Sequence, residues 1–302
     1  MKVWGGWQVE TDQPLTVSQI YEMRNGRSYV VDCPLYTPHK ACSDVLAENP
    51  DFSEFFEILK ACEAISTSTP VLGSGSSSIP ASFSVSRRGN LVNIPEGSKK
   101  VNYLVNNYHY TLYAPTNKAM QKAYEMGLPT LAMLEEAVQI DGSDEEPWAE
   151  KEDSAAHIKK VMLDFVKYHI QDNSLFIDEG FESGNYETAK TNPEVLRAYK
   201  IAVTNDGSNM TVQGVANVHP QSVNKSALYN AMARETWVVG NTTAQATVDQ
   251  ATTIDVSSFI VVHAIDEPLL FKYKEGSTTA KDNQFIYSET ELWEEEEAKQ
   301  RK

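Results

Sequence analysis

The sequence predicts an α+β fold, a β-sandwich-like core of short strands with helices packed around it. Three observations carry that prediction. Tyr110, Leu112 and Ala114 alternate with Thr111 and Tyr113 and run into Pro115-Thr116, a strand that stops and turns into a helix. Ile158, Val161, Met162, Phe165, Val166, His169 and Ile170 recur at helical spacing over residues 155–170. Two short strand candidates flank Asn205-Asp206-Gly207-Ser208, and residues 255–265 read as a final buried strand. With 302 residues the chain is long enough for one large or two modest domains, each with its own core.

Each element follows from local chemistry. Near the start, the turn signal Asn25-Gly26 precedes an apolar run over residues 28–35, which reads as a strand followed by a chain exit. Residues 49–66 read as a helix: Asn49 can cap it, Pro50 suits its first position, and Asp51 sits at its positive end. Phe52, Phe55, Phe56, Leu59 and Cys62 then share one apolar face. The Ser-, Gly- and Pro-rich stretch 67–100 reads as an exposed loop or a hairpin insertion. Its Gly-Ser-Gly-Ser-Ser-Ser run lacks the flanking strand and helix of a phosphate cradle. Pro115 stops ladder pairing, and Thr116 caps a helix starting at Asn117. A second helix follows Pro129, with Leu131, Leu134, Ala137 and Val138 on one side. Residues 141–154 read as an acidic loop before the long helix. Residues 200–204 and 209–213 form a hairpin, 268–274 are a candidate extension of the last strand, and 289–302 read as an exposed helix or frayed tail.

A formal net charge of −16 argues against nucleic acid as a partner, because phosphate binding needs clustered Lys and Arg. Arg87-Arg88, Lys99-Lys100 and Lys159-Lys160 form no stripe. No apolar run reaches the roughly 18 residues of a membrane span. The first residues carry polar side chains where a signal peptide needs an apolar stretch, so export would require a targeting segment outside this numbering. Cys33, Cys42 and Cys62 form an odd set that excludes a fully paired disulfide framework. With His39 they suggest a zinc set, but the spacing is wide. Cys42 and Cys62 stand beside apolar residues in helix-like sequence, where Cys acts as a small hydrophobe, so no metal is expected. Nucleophile-elbow, zinc-protease, Walker and dinucleotide motifs are missing, and His39, His109, His157, His169, His219 and His263 are scattered. The expectation is therefore no catalytic residues and no cofactor.

Two segments are distinctive: Thr111-Leu112-Tyr113-Ala114-Pro115-Thr116-Asn117-Lys118-Ala119 and Val261-Val262-His263-Ala264-Ile265-Asp266-Glu267-Pro268-Leu269. With Tyr168-His169 between them, they resemble the three ordered signatures of the fasciclin, or FAS1, domain. The resemblance covers roughly residues 43–274. It departs from the family in length, through insertions at 67–105, 139–156 and 216–252. A shorter echo, Tyr29-Val30-Val31-Asp32-Cys33-Pro34-Leu35, repeats the pattern of residues 263–269. The resemblance implies residues 1–40 as the closing segment of a preceding FAS1-like domain. It implies 41–275 as a complete FAS1 domain and 276–302 as an acidic tail.

The family resemblance implies a non-enzymatic extracytoplasmic module that binds proteins, and in some members carbohydrate. In animal members the Tyr-His region is linked with receptor binding, which marks Tyr168 and His169 as candidate binding residues. Thr111, Ala114, Pro115, Thr116, Asn117, His263, Ile265 and Asp266 are expected to act structurally. Asp266 is expected to accept backbone N–H bonds from its turn, and His169 to make a satisfied buried hydrogen bond. In its long inserted loops and echo of a second domain, the chain is also similar to fasciclin-like lipoproteins of Bacteroidota outer membranes. That likeness implies a second possible role, as an accessory subunit of a nutrient-uptake transporter assembly. Asn209, Asn224 and Asn241 open glycosylation sequons, which matter only in a eukaryotic source.

Overall fold

The computed structural model describes residues 1–62, 84–88, 109–141, 148–178, 182–192, 197–240 and 253–286. The chain is α+β. Its strands are β1 (Lys2–Val3), β2 (Leu15–Met23), β3 (Gly26–Val31), β4 (Ser84–Arg88), β5 (His109–Pro115) and β6 (Ile170–Asp172). They continue as β7 (Gly184–Asn192), β8 (Arg197–Asn205), β9 (Met210–Gly214), β10 (Gln221–Ser222), β11 (Ala231–Gly240) and β12 (Thr253–Ile265). The helices are α1 (Gly6–Thr11), α2 (Cys42–Ala47), α3 (Ser53–Ala61), α4 (Asn117–Glu125), α5 (Leu131–Asp141) and α6 (Trp148–Tyr168).

Among the described residues, nine strands form one sheet in the order β10-β9-β8-β7-β6-β5-β12-β11-β4, and β1-β2-β3 form a separate sheet. Every pairing is antiparallel except β5 with β12. That parallel pair lies inside the sheet between β6 and β11, where alternation directs side chains to two cores. Tyr110, Leu112 and Ala114 of β5 and Ile260, Val262 and Ala264 of β12 face a cluster with Phe55, Ile58, Met162 and Phe165. Tyr113 and Ile265 face the other way, into a second cluster with Tyr168, Ile201, Val203, Met210 and Val212. The sheet thus folds over itself on one side and carries the helices on the other. Each fully buried Phe (Phe52, Phe55 and Phe165) contributes on the order of 2–3 kcal/mol.

Several expectations hold. β5 ends at Pro115, and the Thr116 side chain accepts the Ala119 N–H at the start of α4. Asn49 caps its segment through the Asp51 N–H. The hairpin forms with Asn205 opposite Met210. Cys42 and Cys62 are buried in the helical core.

Other expectations need correction. The 49–66 segment opens with a 3-10 turn, Pro50–Phe52, and its α-helix ends at Ala61, because Cys62 leaves helical geometry. Residues 148–154 are helical rather than loop, so α6 starts a full two turns early; acidic residues suit the positive end of a helix. At its other end α6 stops at Tyr168, and Ile170 already belongs to β6. Val138 is 51% exposed, so the apolar face of α5 is narrower than its spacing suggests. Residues 268–274 form no strand. Pro268 offers no N–H for a ladder, and the Asp266-Glu267 turn is fixed from outside. The tail at 289–302 and most of the 67–105 insertion lie outside the described residues.

Candidate functional site

The three sequence motifs meet at one junction. β5 and β12 run side by side in parallel, pairing Tyr113 with His263, Ala114 with Ala264 and Pro115 with Ile265. The Tyr168-His169 pair joins them where α6 ends: the Tyr113 N–H donates to the His169 carbonyl at 3.0 Å. Residues distant in sequence are thereby assembled around the centre of the sheet.

His169 is fully buried and bonded on both ring nitrogens. A backbone carbonyl only accepts and a backbone N–H only donates, so the partners fix the tautomer. Nδ1–H donates to the Phe165 carbonyl at 2.8 Å, and Nε2 accepts the Leu269 N–H at 3.0 Å. His263, equally buried, has the opposite tautomer: Nε2–H donates to the Leu175 carbonyl at 2.9 Å, while Nδ1 accepts the Asn230 N–H at 3.3 Å. Burial lowers the pKa of each imidazole to about 4, against an opposing pull from its carbonyl partner. Both rings are neutral at physiological pH.

Tyr168 donates to the Lys200 carbonyl at 3.1 Å and accepts the Val215 N–H at 2.9 Å. Burial pushes its phenol up to about 12, although the Val215 N–H pulls the other way. Tyr113, stacked on His263 with ring centroids 6.1 Å apart, donates to Gln171 Oε1 at 2.7 Å. Thr111 is buried, donating to the Asn173 carbonyl at 2.7 Å and accepting the Leu175 N–H at 2.9 Å.

Asp266 closes the junction. Its Oδ1 accepts from Thr116 Oγ1 and from Asn224 Nδ2, both at 3.0 Å, and its Oδ2 faces Lys118 Nζ at 3.3 Å. Partial burial works to raise its pKa, but the bonds from Asn224, Thr116 and Lys118 outweigh it and hold the carboxyl below its ordinary range. The donors are side chains rather than the expected backbone N–H groups. Thr116 therefore caps α4 and ties its start to β12, assisted by its own N–H to the Ile265 carbonyl at 2.9 Å. Asn117 adds a second clamp: its Oδ1 accepts the Glu54 N–H at 3.0 Å and its Nδ2 donates to the Pro50 carbonyl at 2.9 Å, joining α4 to α3. Ala114 and Ile265 are wholly buried.

Three asparagines complete the junction. Asn217 Oδ1 accepts the Gly214 and Leu270 N–H groups while its Nδ2 donates to the Pro268 carbonyl. Asn230, in left-handed geometry at φ 52°, brackets Ile177 through both side-chain atoms. Asn224 folds its own turn by accepting the Ser226 and Ala227 N–H groups. In the sequence their only signal is the general habit of Asn to bond nearby backbone. Lys190 and Asp164, paired at 2.8 Å and both mostly buried, tie β7 to α6 with no sequence signal. Among the described residues, no three His, Cys, Asp or Glu side chains are grouped to hold a metal. A shallow open groove of about 450 Å³ on β7 and β8 is lined by Glu187, Arg197, Ala198 and Lys200.

The junction defines a class of protein by its construction: an α+β module whose motif residues are hydrogen-bonded into its own fold. No protein-family model and no curated protein sequence matches the chain. Among solved structures, it is similar to a FAS1 domain pair from the insect cell adhesion molecule Fasciclin I. The TM-score is 0.35 and the identity 13%, over 89% of this chain and 62% of that one. A likeness of that size assigns neither family nor function.

Proposed function

We propose that the chain is a non-enzymatic binding or scaffolding module of the FAS1 kind, working outside the cytoplasm by contact with other proteins. The observation that carries this reading is the hairpin of β2 and β3. Ile20, Tyr21, Met23, Tyr29 and Val30 are each between 41% and 54% exposed on it. A soluble surface seldom gathers that much apolar area except where a partner covers it. Support also comes from the junction, where Tyr168, His169, Thr116 and Asp266 are bonded within the fold. In its finer form the proposal places the module at a bacterial outer membrane, reached through a lipid anchor outside this numbering.

Purification from the native membrane with chemical cross-linking tests it. The expected result is a stoichiometric protein complex with cross-links on residues 15–36. A transporter as the partner would select the assembly role, and a matrix or surface protein the adhesive one. Substrate turnover abolished by His169→Gln or His263→Gln in a folded protein would overturn the proposal.

A further inference from the structure

The echo between residues 29–35 and 263–269 extends from sequence to architecture. Each segment begins in the last residues of the second strand of an antiparallel pair, β2–β3 or β11–β12, and each runs into an Asp. Aligning Asp32 with Asp266 places Tyr29 on His263, Val30 on Ala264, Leu35 on Leu269 and Tyr36 on Leu270. Upstream the likeness stops, with Arg27 and Ser28 standing for Val261 and Val262. The four core residues are at most 4% exposed, whereas Tyr29, Val30, Leu35 and Tyr36 are 41%, 43%, 54% and 50% exposed.

The difference has a visible cause. The far edge of β12 is covered by β5, in parallel, followed by the capped helix α4. The corresponding edge of β3 bears no strand among the described residues. The hairpin is also apolar on both faces. Ile20 pairs with Tyr29 on one, while Tyr21, Met23 and Val30 lie on the other. A flat partner would cover one face only. Two strands with both faces in water are marginal, and an open apolar edge invites pairing.

We propose that β3 is a docking edge for a strand of the β5 type, donated in parallel by a partner module that carries a β5-like strand and capped helix but no closing β12-like strand of its own. The inference rests on the binding-module reading and names its partner. Charge supports the choice. Asp266 receives Thr116 and Lys118 from the segment that follows β5. Asp32, exposed at the equivalent place and bonded to the Thr16 N–H at 3.1 Å, offers a carboxylate to the same Thr-Asn-Lys sequence on an incoming strand. A folded second copy of this chain cannot donate its own β5, which is held between β6 and β12.

The test prepends residues 109–119 to the full chain through a Gly/Ser linker. Met1 lies beside the start of β2, at the Asp32 end of β3. A strand added outside β3 ends about 14 Å from β1, three strand spacings away, and a linker of about 15 residues reaches about 20 Å. Hydrogen exchange at Gly26–Val31 is the readout, with β5 and β12 amides as the folding check. The expected result is exchange slowed at least about tenfold, as for amides entering a ladder, and no slowing with a scrambled segment of the same composition. Equal exchange in the two fusions overturns the proposal. If the fusion fails to fold, the blocked 109–119 peptide added to the unmodified chain gives the same two outcomes. Protection of Gly26–Val31 that appears only as the unmodified chain dimerises also overturns it. The edge would then serve a second copy, and the binding-module reading would stand without this partner.

Discussion

His169 and His263 hold the core only while neutral, because protonation turns the accepting nitrogen of each ring against a backbone N–H donor. Their folded pKa is depressed to about 4, whereas an unfolded imidazole titrates near about 6.5. The unfolded chain therefore binds more protons between those values. The stability each ring contributes is complete above about pH 6.5 and is lost as pH falls towards about 4. Urea unfolding across that range should show His169→Gln with a pH slope shallower than the parent by up to about 1.4 kcal/mol per pH unit, one proton's worth. An unchanged slope would mean that His169 titrates normally. Asp266 acts in a lower window. Its folded pKa is held down, so its stabilisation is present above the ordinary carboxylate range and disappears in stronger acid. Thr116→Ala removes both a helix cap and an Asp266 donor. It should cost about 1–2 kcal/mol, against less than about 1 kcal/mol for Lys118→Ala, whose ion pair is largely exposed.

At the scale of elements, the turns that hold the sheet together are set by close packing as much as by hydrogen bonds. A Cβ at Gly214, where β9 ends, would stand 2.5 Å from Asn217 Oδ1, 2.6 Å from the Leu270 oxygen and 2.8 Å from its nitrogen. Backbone cannot yield as a side chain does, so Gly214→Ala should cost about 1–3 kcal/mol in equilibrium unfolding. Phe165→Ala, which empties a fully buried site on α6, should cost about 3–5 kcal/mol. These two positions differ in how far the sequence announces them. Phe165 lies on an unbroken helical stripe, so its burial is legible from spacing alone. β5, α4, the β8–β9 hairpin and β12 are legible for similar reasons, each having a period and a stop signal. Gly214, Asn217, Asn224 and Asn230 carry no period, since their roles depend on chain segments as far apart as Gly214 and Leu270. The Asp164–Lys190 pair is hidden for the same reason, and β7 and β11 lack the apolar–polar alternation that marks β5.

For the whole molecule, burial is divided unevenly between the two sheets. Ile260, Val261, Val262, Ala264 and Ile265 of β12 are fully buried, as are Tyr110, Leu112, Tyr113 and Ala114 of β5. In β2 and β3, only Leu15 is buried. The small sheet has other anchors: Gln8 Nε2 donates to the Pro34 carbonyl, and Glu10 Oε1 accepts the His39 and Lys40 N–H groups. Those bonds tie α1 to the chain exit, whereas among the described residues β2 and β3 bond to each other, to β1 and to Asp32. Local opening should therefore free the hairpin amides without disturbing the central strands, which open only when the whole sheet does. Hydrogen exchange on the unmodified chain is expected to place residues 15–31 orders of magnitude faster than 109–115 and 259–265. If the two groups shared one opening rate, the hairpin would belong to the cooperative core. An exposed, independently opening hairpin is what a strand-accepting edge requires, because a partner must reach β3 without unfolding the module that carries it.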